Sequence, residues 1–133
     1  PPTCKMTQWK WVNRKVLLLL HDESLAEHGG AAGLRSEGLL DSALARPVHL
    51  ALYENPDFAR LAASYGVALA KNHAFVDGNK RAAFLSMGLF LGANGYRLTV
   101  SQLDATLVVM EVAAGTMDEA ALADWIRTHS KAR

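Results

Sequence analysis

One cysteine, Cys4, is all the thiol in this sequence. It has no partner for a disulfide and no companion thiolate for a metal, so a cystine framework and a thiolate metal site are excluded and a reducing cytoplasm is the expected compartment. Long apolar runs are missing as well. The longest, Val16 to Leu20, falls far short of the roughly 20 residues a membrane-crossing helix needs, and Asp22 and Glu23 follow closely. No membrane partner and no targeting segment are expected. Charge of one sign is also scarce, since 14 Lys and Arg face 13 Asp and Glu for a net charge of +1. Without a global field, direct nucleic-acid binding is not expected, and any cationic function has to be local. Three familiar site motifs are absent too. No G-x-x-x-x-G-K-[ST] stretch provides a P-loop, an EF-hand register begun at Asp77 puts Ala82 and Gly88 at its sixth and twelfth positions, and no helically spaced His pair accompanies a Glu.

What is present suits one domain with one core. The chain has 133 residues, half of them apolar, with a mean hydropathy of +0.05; that is too apolar for disorder and too short for two cores. Neither repeat nor linker interrupts it. Residues 1–12 read as a poorly structured leader, of which Pro1 to Lys5 carry no pattern, and 13–133 as the folded unit.

Periodicity and punctuation predict an all-α bundle. Asn13 caps a helix carrying Val16, Leu17, Leu20 and Leu25 that stops at Gly29-Gly30. Ser36 opens a short helix ending before Pro47, because a residue that precedes proline avoids the helical region. Val48 to Asn55 alternates in a way that suits a short extended flap, with helical continuation as the alternative at this length. Asp57 caps a helix through Phe58, Leu61, Tyr65 and Leu69 that delivers His73 at its end. Lys80 to Leu91 is apolar on nearly every face, as a helix buried at the centre of a bundle would be. Tyr96 to Val100 reads as an extended link, and Ser101 starts a helix reaching Gly115. Thr116 and Glu119 then read as a capping box for a last helix that frays from His129 to Arg133.

The chemistry concentrates in His73-Ala74-Phe75-Val76-Asp77-Gly78-Asn79-Lys80-Arg81. A phosphoryl group needs donors and positive charge around its oxygens, a metal held by a carboxylate, and a base in reach of the attacking hydroxyl. This stretch supplies each once. Gly78, Asn79 and Lys80 stand where a helix N-terminus presents unpaired N–H groups, and Asp77 is placed to hold Mg2+ with help from substrate phosphates. Lys80 and Arg81 add charge. Trp9, Trp11 and Trp125 read as core or partner contacts, and His21, His28, His49 and His129 carry no role on the sequence alone.

The pattern His73-x-Phe75-x-Asp77-Gly78-Asn79-x-Arg81 resembles the signature of the Fic/Doc superfamily. His28-Gly29-Gly30, Leu34-Arg35, Gly38-Leu39-Leu40, Ala43-Leu44-Ala45-Arg46-Pro47 and Asn94-Gly95-Tyr96 resemble its death-on-curing (Doc) branch, so that 13–129 are covered. The resemblance implies a helical bundle of that type with its central buried helix following the catalytic loop. It further implies that His73 is the general base toward a protein hydroxyl, Phe75 a core anchor, Asp77 the Mg2+ ligand, Gly78 and Asn79 the lining of the anion site, and Arg81 a phosphate contact.

At two positions the chain departs from the adenylylating Fic pattern. Lys80 replaces a glycine, and Phe84 replaces a second arginine. Doc-branch members with this lysine are understood to bind ATP in the reverse sense, presenting the γ-phosphate. The resemblance therefore implies an ATP- and Mg2+-dependent protein kinase, with a threonine of translation elongation factor Tu as target and arrested translation as outcome. Adenylyl transfer and a catalytically silent antitoxin-binding module remain the alternatives. No Ser or Thr is followed four residues later by Glu, so the internal inhibitory helix of many Fic proteins is lacking; Ser24 meets His28, Thr106 meets Met110 and Thr116 meets Ala120. An external brake is expected, a Phd-like antitoxin whose disordered C-terminal segment folds as a helix on binding.

Overall fold

Five short polar side chains start five of the helices. In the computed structural model, which describes residues 9–133, the order is α1 (Arg14–His28), α2 (Glu37–Tyr53), α3 (Phe58–Asn72), α4 (Asn79–Ala93), β1 (Tyr96–Leu98), α5 (Gln102–Ala114), α6 (Glu119–Thr128) and β2 (Ser130–Ala132). Asn13, Ser36, Asp57 and Ser101 accept from the N–H groups of Val16, Leu39, Arg60 and Asp104 at 3.0–3.1 Å, as expected. Cys4 and the rest of 1–8 lie outside the described residues.

The architecture is all-α, with one two-stranded antiparallel ribbon. Small residues let α3 sit deepest, with Ala59, Leu61 to Gly66, Leu69 and Ala70 buried. Against it, α4 buries Ala82, Ala83, Ser86, Met87, Phe90 and Leu91. Tyr65, Phe75 and Phe90 are the largest fully buried side chains, among Leu, Met and Ile neighbours. Burial pushes the Tyr65 phenol up in pKa, and its oxygen accepts from the Val12 N–H at 3.0 Å.

Four boundaries differ from expectation. First, α2 does not stop before Pro47 and there is no flap at 48–55, since the helix runs to Tyr53. A proline inside a helix costs about 3 kcal/mol. Here Leu40, Ala43 and Pro47 are buried and Leu50 and Ala51 pack on the same core, a helical stripe whose burial outweighs that cost. The alternation that suggested a flap leaves Leu52 and Tyr53 at 71% and 85% exposure. Second, Asp118 caps α6 rather than a Thr116–Glu119 box, its carboxylate accepting from Ala121 N–H at 2.8 Å. Thr116 belongs to the end of α5, where both its N–H and its hydroxyl donate to the Glu111 carbonyl. Third, the tail does not fray. Ser130, Lys131 and Ala132 pair with Leu98, Arg97 and Tyr96, because the edge of β1 offers N–H and C=O groups that the tail satisfies. Fourth, 9–12, assigned to the leader, lie on α4. Trp9 and Trp11 pack on Phe90 with centroids 5.8 and 6.0 Å away, and the Lys10 backbone exchanges two 2.9 Å hydrogen bonds with the Asn94 amide.

Asp57 joins local and long-range order, since it caps α3 and receives the Arg127 fork of α6 at 2.7 and 3.0 Å. That guanidinium, and next the Arg60 N–H, hold its carboxyl below the ordinary value of 3.8. Asp57→Asn keeps a capping side chain and loses the ion pair, so urea denaturation at pH 7 should show a loss of no more than about 1 kcal/mol, against about 1–2 kcal/mol for Asp57→Ala. A depressed carboxyl stabilises above its unfolded value and ceases to as pH falls through its folded one. The gap between wild type and Asp57→Asn should therefore hold above pH 3.8 and close below it.

Candidate active site

The chain leaves α3 through a left-handed residue. His73 has φ 54° and ψ 47° and is the one non-glycine residue with positive φ among those described. An L-residue in that region costs about 1–2 kcal/mol, so something must hold it. Arg35 does so from outside the loop, its Nε donating to the His73 carbonyl at 2.8 Å. Backbone bonds then run from Arg35 and Ser36 N–H to Ala74 O and from Val76 N–H to Gly33 O, with Leu34 opposite Phe75 as in an antiparallel pair. The loop is thus sewn along one side to 33–36.

Inside the loop, Asn79 reaches back to Phe75. Its Oδ1 accepts from the Phe75 N–H at 3.0 Å and its Nδ2 donates to the Phe75 carbonyl at 3.1 Å, so one amide satisfies both backbone groups of a buried residue. Phe75 is the expected core anchor, 2% exposed, with its ring stacked on His21. Buried Ala74 and Phe75 leave His73, Val76, Asp77 and Lys80 exposed on the outer side of the turn.

The Asp77 carboxylate accepts from Gly78 N–H at 2.8 Å and from Ala31 N–H at 3.3 Å. Gly30 makes this possible, because its φ is 125° and a Cβ there would stand 2.9 Å from Asp77 Oδ2. Gly78 is the N-cap of α4, also left-handed at φ 75°, and no side chain caps the helix. The N–H groups of its first turn are therefore available to an anion.

His73, Asp77, Gly78, Asn79 and Lys80 line one cavity of about 660 Å³, closed opposite by Met110, Ala113 and Ala114 of α5. Its size is that of a small-molecule site, typically about 300–1,000 Å³. Arg81 is not among them. It lines a second cavity of about 640 Å³ with Phe84, Tyr96, Arg97, Gln102 and Arg133. There its guanidinium carbon lies 5.7 Å from the Phe84 ring centroid. The Gln102 amide, turned with its oxygen toward Arg81, accepts from both terminal nitrogens, one at 3.3 Å.

Among the described residues, no group of three or more His, Cys, Asp and Glu could cage a metal. Asp77 alone suits Mg2+, which is commonly held by one or two carboxylates together with substrate phosphates and water. Each of its oxygens accepts one backbone N–H and keeps lone-pair capacity for a cation. Two residues that hold the site received no role from sequence, His21 and Arg35. His21 could have been found, because Leu17, His21 and Leu25 fall on one helical face and a histidine there needs a buried acceptor.

Residues 11–91 match the family described as Fic/DOC. The "Protein kinase doc" of Escherichia phage P1 is 33% identical over 117 residues, covering 87% of this chain and 92% of the relative. The "Toxin Doc" of Mycolicibacterium smegmatis is 45% identical over 73 residues, 53% of this chain and 55% of that protein.

Because Asn79 satisfies two backbone groups at once, Asn79→Ala should cost about 1–3 kcal/mol in chemical denaturation. Asn79→Asp should not restore it, since a carboxylate cannot donate to the Phe75 carbonyl. Equal stability of Asn79→Asp and wild type would contradict the bracket.

Proposed function

We propose a function from one premise: the chain belongs to the Fic/DOC family. It is a Doc-like toxin of transferase type, paired with an antitoxin. The finer reading is an ATP- and Mg2+-dependent protein kinase that phosphorylates a threonine of elongation factor Tu and stops translation. The observation that carries it is the gathering of His73, Asp77 and Lys80 around one cavity at the uncapped N-terminus of α4.

In this reading the γ-phosphate lies against the first-turn N–H groups of α4, with Gly78 and Asn79 lining its place. His73 takes the proton of the target hydroxyl as that oxygen bonds to the γ-phosphorus. The bond from phosphorus to the β–γ bridging oxygen breaks, and ADP leaves. Asp77 and the phosphates would hold Mg2+, which would neutralise charge on the phosphate oxygens. Lys80 adds a point charge beside the same oxygens.

The positions that differ from the adenylylating pattern support delivery of the terminal phosphate. Lys80 fills space that glycine would leave open. Phe84 removes a clamp, and its ring also carries Arg81 on the side away from His73. Arg81 is proposed to contact phosphate oxygens only in a nucleotide-bound arrangement that draws it from Gln102. The partner proposed to restrain the toxin is a Phd-like antitoxin with a disordered C-terminal segment.

Purified protein incubated with elongation factor Tu and ATP labelled at either end should transfer γ-label and no α-label. Transfer of α-label alone would overturn the kinase reading. His73→Ala should lower γ-transfer by about 10²–10⁴-fold, the usual share of a general base. Chelation of Mg2+ should abolish transfer, and Asp77→Asn should raise the Mg2+ concentration needed for half-maximal rate. Growth arrest that survived His73→Ala would remove catalysis from the toxicity.

A further inference from the structure

His21 is the most deeply buried polar group next to the loop, 1% exposed, and it lies outside the cavity that holds His73. Three contacts define it. Its Nε2 lies 2.9 Å from the Asp77 carbonyl oxygen. Its ring stacks on Phe75 with centroids 3.9 Å apart at 29°. A Cβ added to Gly78 would stand 2.9 Å from Nε2, so the loop fits the ring closely on this side as well. A carbonyl oxygen only accepts, which assigns the hydrogen to Nε2.

The peptide that His21 touches is a particular one. The Asp77 carbonyl and the Gly78 N–H belong to the same planar unit, and that N–H donates to the Asp77 carboxylate at 2.8 Å. Holding one end of the plane fixes the other. We propose that His21 is a positioning residue of the phosphotransfer site: its Nε2–H locks the Asp77–Gly78 peptide and thereby aims the Asp77 carboxylate and the uncapped first turn of α4. His21 touches neither nucleotide nor target and acts through the loop. An aliphatic residue would fill the same stripe between Leu17 and Leu25 but could not hold that carbonyl.

The inference rests on the phosphotransfer reading for its kinetic arm alone, and two substitutions in the full chain separate donor from ring. His21→Phe keeps an aromatic plate on Phe75 and loses the donor; His21→Gln keeps a donor of similar reach and loses the plate. Against elongation factor Tu, His21→Phe should lower kcat by about 10–100-fold with KM for the protein within about twofold, as a misaimed site does. His21→Gln should recover to within about threefold of wild type by the same reasoning. Imidazole ¹⁵N–¹H correlation on the wild-type protein should find hydrogen on Nε2, and amide exchange at Gly78 should be faster in His21→Phe than in His21→Gln.

An Nε2 without hydrogen would overturn the proposal. So would full kcat in His21→Phe, or kcat losses in both variants that simply follow their losses in thermal midpoint. If wild-type protein transfers phosphate to no protein target, the kinase reading fails by itself, and the Nε2 hydrogen with the Gly78 exchange rates still decides the role of His21.

Discussion

The chain has to turn from α3 into α4 in six residues, 73–78, and both ends of that turn are left-handed, at His73 and at Gly78. Glycine takes such a conformation without penalty and histidine does not. The site is therefore assembled at a cost and depends on restraints from three directions. Arg35 and the 33–36 backbone hold the entry, Asn79 brackets the middle, and His21 holds the exit. Each of these restraints falls on backbone atoms, which leaves the side chains of His73 and Lys80 and the remaining lone pairs of Asp77 available to the cavity.

This arrangement also explains the division into two cavities. Successive residues in the first turn of a helix point about 100° apart, so Lys80 and Arg81 cannot face the same space without rearrangement. Lys80 falls beside His73 and Asp77; Arg81 falls toward β1 and α5. Phe84, one turn further along, stabilises Arg81 there, whereas a second cation at 84 would repel it. The residue at 84 thus bears on where the charge of Arg81 rests.

Local signals were legible where a side chain's own chemistry decides the structure. Four N-caps, the glycine stop at Gly29 and the apolar α4 follow from short polar residues, backbone freedom and helical period, and the central motif placed five of its six site residues on one cavity. Sequence reasoning failed where tertiary packing overrides a local rule. Pro47 argues for a helix end by itself, and only the core beneath Leu40, Ala43 and Pro47 reverses that. The basic tail has no strand signal; what pairs it is the open edge of β1. Arg81 follows Lys80 in sequence yet lines the other cavity, because adjacency along the chain does not carry over to adjacency around a helix.

The restraints differ in kind, and that difference bears on what the loop can tolerate. The Phe75 bracket is internal to the loop and travels with it, so it preserves local shape even where the loop moves as a body. The bonds from Arg35, from the 33–36 backbone, from Ala31 and from His21 tie that body to other elements and fix where it points relative to α5 and the cavity wall. Preorganisation of the proposed phosphate site would require the second kind, because N–H groups and a carboxylate stabilise transferred charge only if they are already aimed before it develops. The buried polar side chain on α1 thus belongs to the logic of the site. A helix that needed only to fill space would have an aliphatic residue between Leu17 and Leu25, and this one has the donor that the loop's exit carbonyl requires.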